Sequence, residues 1–277
     1  MKFPSCIYVL AWNRGIFNLI KRGYMEILKY NKTKDNTYEI HLDDGNTLIL
    51  YDETIIRFGL LMNKVLDNKK LSEITSFNDD LEAYYASLRH INKKMRSELE
   101  IDKYLSKKEF SSKTISNTIK MLKEKGYLDN NRYITSYIND QIKLTNNGPE
   151  KIKFNLIKLG FNESEIDINF DFNEKIEKLI NKKVNMNHKK NTFTLKQDIA
   201  NYLINLGYSK DSFIDILDNI KVDDSLLVKK EYDSLVKKYS KKYDDKKLKL
   251  FIKDKLYKKG YNIEVINEVI SDGDVYW

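Results

Sequence analysis

The stretch Ile152-Lys153-Phe154-Asn155-Leu156-Ile157-Lys158-Leu159-Gly160-Phe161-Asn162 decides the fold, because its apolar spacing recurs three more times along the 277 residues. The pattern is isoleucine, leucine four places on, an aromatic five places further, and a large apolar residue five beyond that. It reads Ile101, Leu105, Phe110, Ile115; Ile152, Leu156, Phe161, Ile166; Ile199, Leu203, Tyr208, Phe213; and Ile252, Leu256, Tyr261, Ile266. Successive aromatics are 51, 47 and 53 residues apart. A period near that length denotes stacked copies of one supersecondary unit.

Each unit accounts for its own shape. Residues i and i+4 share a helix face, and a glycine (Gly160, Gly207, Gly260) stands before the aromatic in three copies, suiting a left-handed helix stop. The first copy has Glu109 there. Ser111, Asn162, Ser209 or Asn262 follows the aromatic, each suited to cap a new helix. That second helix is expected to carry the pairs Ile115 and Ile119, Ile166 and Phe170, Phe213 and Leu217, Ile266 and Ile270. The remaining length leaves room for one more helix per unit, placed at 80–95, 130–144, 171–184 and 226–243. The expected architecture is mainly α: tandem three-helix repeats forming an elongated curved array, divided as 80–128, 129–170, 171–222 and 223–277.

The text before residue 80 has a different period. Glu26 to Tyr30, Tyr38 to Leu42 and Thr47 to Tyr51 read as strands, with Asp43-Asp44-Gly45-Asn46 as a hairpin turn. Residues 25–79 are therefore expected to form a small β-meander followed by a helix near Glu53 to Leu66, capped by Asp52. Residues 1–24 read as an N-terminal extension. Lys2 and the apolar residues after it have the look of a signal peptide, but Trp12-Asn13-Arg14 interrupts them and no small-residue cleavage site follows. Met25, at the head of the strand-like text, is an alternative translation start.

With 41% hydrophobic and 32% charged residues, the polar remainder suits a repeat array better than one compact ball. No apolar run reaches the roughly 18 residues a membrane helix requires. The lone Cys6 excludes an internal disulfide and suits a reducing cytoplasm. The formal net charge of +8 is concentrated: residues 221–260 hold 14 lysines against 7 acidic side chains. Lys237, Lys238, Lys241, Lys242, Lys246, Lys247 and Lys249 interleave with Tyr239 and Tyr243, a composition that suits phosphate contact with little sequence preference. A solvated face that keeps a repeat protein soluble is the competing reading. Arg89, Lys93, Lys94 and Arg96 form a second basic group, and Lys151 and Lys153 a third, suited to phosphate or to an acidic protein surface.

Catalytic chemistry finds no foothold. His41, His90 and His188 are dispersed, with no cysteine or carboxylate at ligand spacing, and neither a glycine-rich phosphate loop nor a nucleophile elbow occurs. The pairs Asp43-Asp44, Asp79-Asp80, Asp223-Asp224 and Asp244-Asp245 read as turns and helix starts, not as the converging carboxylates of a nuclease. Tyrosines offer platforms for base stacking, but Tyr208 and Tyr261 hold the repeated apolar position and read as core. No catalytic residue, metal or cofactor is expected.

A family resemblance rests on Arg96-Ser97-Glu98-Leu99, Tyr104-Leu105 and Phe110, then on Leu122-Lys123-Glu124-Lys125-Gly126-Tyr127-Leu128-Asp129-Asn130-Asn131-Arg132-Tyr133. Gly148-Pro149-Glu150-Lys151-Ile152-Lys153, Leu156 and Leu159-Gly160-Phe161 continue it. This text, spanning 96 to 161, resembles the RecX family of recombinase regulators, and the segment from Met25 resembles the amino-terminal part of its longer Gram-positive-type members. Glu109 and Asn130 depart mildly from the family pattern. The resemblance implies a non-enzymatic modulator of RecA, a cytoplasmic monomer of helical repeats lying along the RecA filament and altering ATP hydrolysis and strand exchange. Its implied partners are that filament and DNA, single-stranded and by extension double-stranded, held through backbone contacts. A nucleic-acid-binding repeat protein acting without RecA and a purely protein-binding scaffold are the other two readings.

Overall fold

The computed structural model describes residues 23–33, 36–187 and 189–272. The expected N-terminal extension, all but Gly23 and Tyr24, and His188 lie outside them. The chain divides into two compact units meeting at Tyr133 and Ile134.

In the first unit, β1 (Tyr24–Lys32), β2 (Thr37–Leu42), β3 (Thr47–Tyr51) and β4 (Val65–Asp67) form an antiparallel sheet in the order β3-β2-β1-β4. Alternation places Met25, Ile27, Ile40, Leu42, Leu48 and Leu50 on the buried face. A bulge between Ile27 and Lys29 shifts the register, and beyond it Tyr30 stands opposite Ile40. Asp44 tightens the β2–β3 turn by accepting the Asn46 N–H at 2.9 Å.

The helix expected over Glu53 to Leu66 is corrected to α1 (Asp52–Arg57), and Asp52 is its first residue, not its cap. Gly59, at φ +59°, turns the chain so that Leu60 is buried and β4 returns to pair with β1. That fourth strand, three residues long, is too short to show a period of two.

Helix α2 (Asn68–Ile91) is capped by Asp67, which accepts the Lys70 N–H at 2.7 Å. It begins twelve residues before the expected 80. Its first turns pack Leu71 and Ile74 on the sheet, and its later turns pack Ala83, Tyr84 and Ala86 in a second core with α3 (Glu98–Ser106) and α4 (Ser112–Glu124). Asn78 stands between the two cores. Its amide donates to the Ile49 carbonyl at 3.1 Å, and its oxygen accepts the Tyr51 N–H and the Thr54 hydroxyl at 2.9 and 3.1 Å. One helix longer than the local period therefore serves both sheet and repeat.

α5 (Asn130–Leu144) leads into the second unit, which continues with α6 (Pro149–Lys158), α7 (Asn173–Asn185), α8 (Thr192–Leu206), α9 (Ile214–Asp218), α10 (Ser225–Tyr239), α11 (Asp245–Lys258) and α12 (Ile263–Asp272). The Ile and Leu of all four copies are buried, and Phe161, Tyr208 and Tyr261 join them. The turns before the aromatics are left-handed as expected, at φ +94°, +88° and +86° for Gly160, Gly207 and Gly260. Glu109 takes the same conformation at φ +65°. The repeat register thus holds a non-glycine residue where a side chain is disfavoured.

The second helix of the unit does not form in every copy. α4 and α12 are full helices, whereas the third repeat has a 3₁₀ turn (Lys210–Ser212) and the five-residue α9. In the second repeat only a 3₁₀ turn (Glu163–Glu165) forms, and Ile166 is extended. The expected pairing of Ile166 with Phe170 on a helix is therefore wrong. The text Ile166-Asp167-Ile168-Asn169-Phe170-Asp171-Phe172 alternates apolar and polar residues, and Asp and Asn compete with helix formation through local hydrogen bonds. Phe172 is the residue this segment buries, edge-on to Tyr208 at 5.9 Å.

Within the second unit, successive repeats meet at the glycine turns. The N–H of Gly148 donates to Leu206 O at 2.7 Å and that of Glu150 to Gly207 O at 3.1 Å. One repeat along, Asn191 donates to Lys259 O at 2.8 Å, and Phe193 covers Gly260. The start of one repeat's first helix thus satisfies carbonyls at the end of the next repeat's first helix.

Candidate nucleic-acid and partner interface

The lysine-rich segment of the fourth repeat is built on a three-ring base. Tyr239 ends α10, Tyr243 lies in the connection, and Phe251 is on α11. Tyr243 stacks on Phe251 at 4.9 Å and Tyr239 meets the same ring edge-on at 5.0 Å. The rings rest beside a core of Val228, Leu248, Ile252, Leu256, Tyr261 and Ile266. α11 begins where Asp244 accepts the Lys247 N–H at 2.9 Å, which sets the helical phase of Lys246, Lys247 and Lys249.

Lys237, Lys238, Lys241, Lys242, Lys246 and Lys247 are exposed and Lys249 is half-buried. Lys247 pairs with Asp244 at 3.3 Å, with both side chains mostly in solvent, a contact of little energetic weight. Lys237, Lys241 and Lys246 form no ion pair among the described residues. Lys238 and Lys242 lie 5.5 and 5.7 Å from the rings of Tyr239 and Tyr243. Lys255, at 5.4 Å from the Phe251 ring, extends this surface. Sequence reasoning passed over Lys255. The signal was its place one turn after Phe251, on the flank of the buried Leu248, Ile252 and Leu256.

The other predicted positions are differently committed. Arg89 and Lys93 are exposed. Lys94 and Arg96 converge on Glu100, at 3.3 and 3.1 Å. Glu100 completes the capping box of α3 by accepting the Ser97 N–H at 3.0 Å, and it also accepts the Tyr133 hydroxyl at 3.2 Å. Burial pushes the Glu100 carboxyl up, but the Ser97 N–H, Arg96 and Lys94 outweigh it and leave its pKa below the ordinary value. Arg96 and Lys94 therefore hold the entry to α3. Nearby, His90 stacks on Tyr104 at 4.1 Å, and burial with the Arg96 charge lowers its pKa.

Lys151 packs its backbone and Cβ against Gly207, with Nζ 3.5 Å from Asn205 O. Lys153 binds Glu163 at 2.5 Å, and this hydrogen bond raises the lysine pKa. Tyr208 and Tyr261 are core, as expected, and burial pushes the Tyr208 hydroxyl up to about 12. His41 is bonded to Asn31 and Thr47 at 2.9 and 3.1 Å. Among the described residues no group of His, Cys, Asp and Glu is arranged to hold a metal ion, and no helix is long and apolar enough to cross a membrane.

No family profile matches the chain. A curated relative from Streptococcus pyogenes serotype M1, named regulatory protein RecX, is 31% identical over 259 residues, covering 88% of this chain and 97% of its own length. A second of that name, from Streptococcus agalactiae serotype Ia, is 30% identical over 259 residues and covers 90% and 99%. The chain belongs to the RecX family of regulatory proteins. A crystal structure of a regulatory protein RecX is matched over 70% of this chain and all of the other, with a TM-score of 0.58 at 24% identity. The RecX fold is thus shared, mainly helical with a small N-terminal sheet in this member. The resemblance read from residues 96 to 161 extends over nearly nine-tenths of the chain.

Proposed function

We infer that this chain is a non-enzymatic, cytoplasmic regulator of RecA that acts as a monomer. It binds the RecA filament on single-stranded DNA and restrains ATP hydrolysis and strand exchange. Membership of the RecX family supports the recombinase as partner. The observation that carries the DNA contact is the exposed run of lysines from Lys237 to Lys247, several without an acidic partner, on the Tyr239, Tyr243 and Phe251 base. Unpaired ammonium groups bind phosphate by releasing counterions, with no sequence preference. Half-buried rings beside them offer edges to unstacked bases. Lys94, Arg96 and Lys153 are secondary, because contact with phosphate competes with Glu100 or Glu163.

The test is the single-stranded-DNA-stimulated ATPase of RecA titrated with this protein. Inhibition at stoichiometric amounts is expected, and no change in stoichiometric excess refutes the reading. The variant Lys241→Glu, Lys242→Glu, Lys246→Glu, Lys247→Glu should weaken filament engagement and reduce the salt slope of DNA binding by about 3, since each single-strand phosphate that a lysine neutralises adds roughly 0.7 to that slope. Unchanged filament binding removes the fourth repeat from the site. The same lysines favour a second reading, a nucleic-acid-binding repeat that needs no recombinase. Under it, DNA affinity collapses with salt and is unaltered by added RecA.

A further inference from the structure

Four large apolar side chains stand in solvent where the chain turns from α1 back to β4. Ile56, Leu61, Met62 and Val65 are 75%, 62%, 88% and 56% exposed. Isolated apolar residues on a surface are ordinary, but these four fall within ten consecutive positions. The turn itself explains them. The Leu60 N–H donates to Ile55 O at 3.0 Å, and the Met62 and Asn63 N–H groups both donate to Gly59 O, at 3.0 and 2.9 Å. Leu60 thereby anchors the turn in the sheet core, and Leu61 and Met62 are left outside it. Val65 joins the group from β4, an edge strand of the sheet. Alternation puts it on the face away from the core, with the exposed Tyr24 diagonally across on β1.

The surroundings are basic. Residues 57–70 hold Arg57, Lys64, Lys69 and Lys70 against the single carboxylate of Asp67, which caps α2. Arg57, Lys64 and Lys69 are exposed and Lys70 is half-buried. Arg57 lies 4.2 Å over the Phe77 ring, and the three lysines form no ion pair among the described residues. This combination discriminates among partners. A two-fold contact with a second copy would set the cations of one copy against those of the other. Nucleic acid would use the cations and leave the apolar side chains in water. An anionic bilayer uses both, because apolar side chains enter below the headgroups while cations stay level with the lipid phosphates. Tyr24 suits that boundary, with a ring for the apolar side and a hydroxyl for water.

We propose that the turn at residues 56–65 is a membrane-surface anchor, by which this chain docks reversibly on an anionic lipid bilayer. Leu61 and Met62 enter deepest, Ile56 and Val65 flank them, and Arg57, Lys64 and Lys69 meet the headgroup phosphates. The contact is peripheral, with side chains in one leaflet only. One short apolar turn binds weakly by itself, and the cations beside it reinforce the attachment.

The test is sedimentation of the full chain with vesicles of phosphatidylcholine alone and of phosphatidylcholine and phosphatidylglycerol in equal parts. Binding to the anionic vesicles only is expected. Leu61→Ser and Met62→Ser should each weaken it about tenfold. Lys64→Gln and Lys69→Gln should each weaken it about fivefold, the equivalent of about 1 kcal/mol per cation at an anionic surface. All four positions are exposed, so circular dichroism and single-stranded-DNA binding should match the parent. The fourth repeat's lysines also attract anionic lipid, so Lys241→Glu, Lys242→Glu, Lys246→Glu, Lys247→Glu is the control background, in which the Leu61→Ser and Met62→Ser losses should persist. A polarity-sensitive dye attached through Met62→Cys, with Cys6→Ser, should brighten on anionic vesicles and be quenched by a spin label on the acyl chains. A parent that does not sediment with anionic vesicles overturns the anchor, as does binding that the quadruple change abolishes and Met62→Ser leaves intact. A dye that the acyl-chain label does not quench overturns the insertion, and equal binding to both vesicles overturns the charge match. A solution dimer that Met62→Ser dissociates assigns the turn to a second copy and overturns the membrane.

Discussion

Replacing Gly207 by alanine should cost about 3 kcal/mol, and the structure divides that cost into parts. Gly207 is left-handed, at φ +88°, and any side chain there incurs about 1 kcal/mol of backbone strain. A Cβ would also stand 2.5 Å from the backbone nitrogen of Lys151 and from its Cβ. Neither atom can move by changing rotamer, so α6 must separate from the end of α8. That separation strains two hydrogen bonds, Gly148 N–H to Leu206 O at 2.7 Å and Glu150 N–H to Gly207 O at 3.1 Å, each contributing about 1 kcal/mol. Gly126 is the control: it is left-handed at φ +73°, with nothing within 4 Å of a built Cβ. Gly126→Ala should cost only the strain, about 1 kcal/mol. Urea unfolding followed by circular dichroism measures both. A Gly207→Ala loss no larger than that of Gly126→Ala would show that the glycine turn does not hold the repeats together.

Three further outcomes follow from the same structure. Glu109→Gly should stabilise the protein by about 0.5–1 kcal/mol, the relief of left-handed strain less the greater freedom of glycine in the unfolded chain. Glu109→Ala should not, and equal gains from the two in thermal unfolding would rule out backbone strain as the cause. Burial, with Glu82 and Asp80 nearby, raises the Asp79 carboxyl from 3.8 to about 6. The folded state therefore holds its proton more tightly, and stability falls as pH rises from about 4 through 6. Asp79→Asn should gain about 1 kcal/mol at pH 7, after allowance for solvent screening, and nothing at pH 3; a gain independent of pH would contradict this. Leu203, fully buried in the third repeat, should lose about 2–5 kcal/mol on Leu203→Ala in a denaturant titration. A much smaller loss would mean the repeat register is misplaced.

The repeat was legible because its signal is local. Ile and Leu at i and i+4, an aromatic after a helix stop, and a capping residue lie within about fifteen positions, and every member of the pattern except Phe110 and Ile166 is buried. Helical spacing of one residue pair does not make a helix where the residues between oppose it. Ile166 and Phe170 have helical spacing, but Asp167, Asn169 and Asp171 break it into alternation. α1 and β4 were not legible either, because Gly59 redirects the chain and a three-residue strand is held by pairing to β1. Only the second half of the long α2 was legible, because its first turns answer to the sheet and its later turns to the repeat. For the candidate interface, charge density located the fourth repeat's lysines. Composition could not separate these from Arg96, Lys94 and Lys153, which meet carboxylates four, six and ten residues along the chain, because a charge count carries no pairing.

What the sequence alone determined, then, was the period, the helix stops and starts, and the place where positive charge accumulates, since propensity, periodicity and composition act over short stretches of chain. Only the tertiary structure decided which lysines remain available and which are spent on Glu100 and Glu163. It alone showed that Gly148 and Gly207 meet at a repeat junction, and that Leu61 and Met62 stay in solvent beside the buried Leu60. Those outcomes depend on partners brought together by packing, and burial and ion pairing are properties of the folded arrangement, not of the residues themselves.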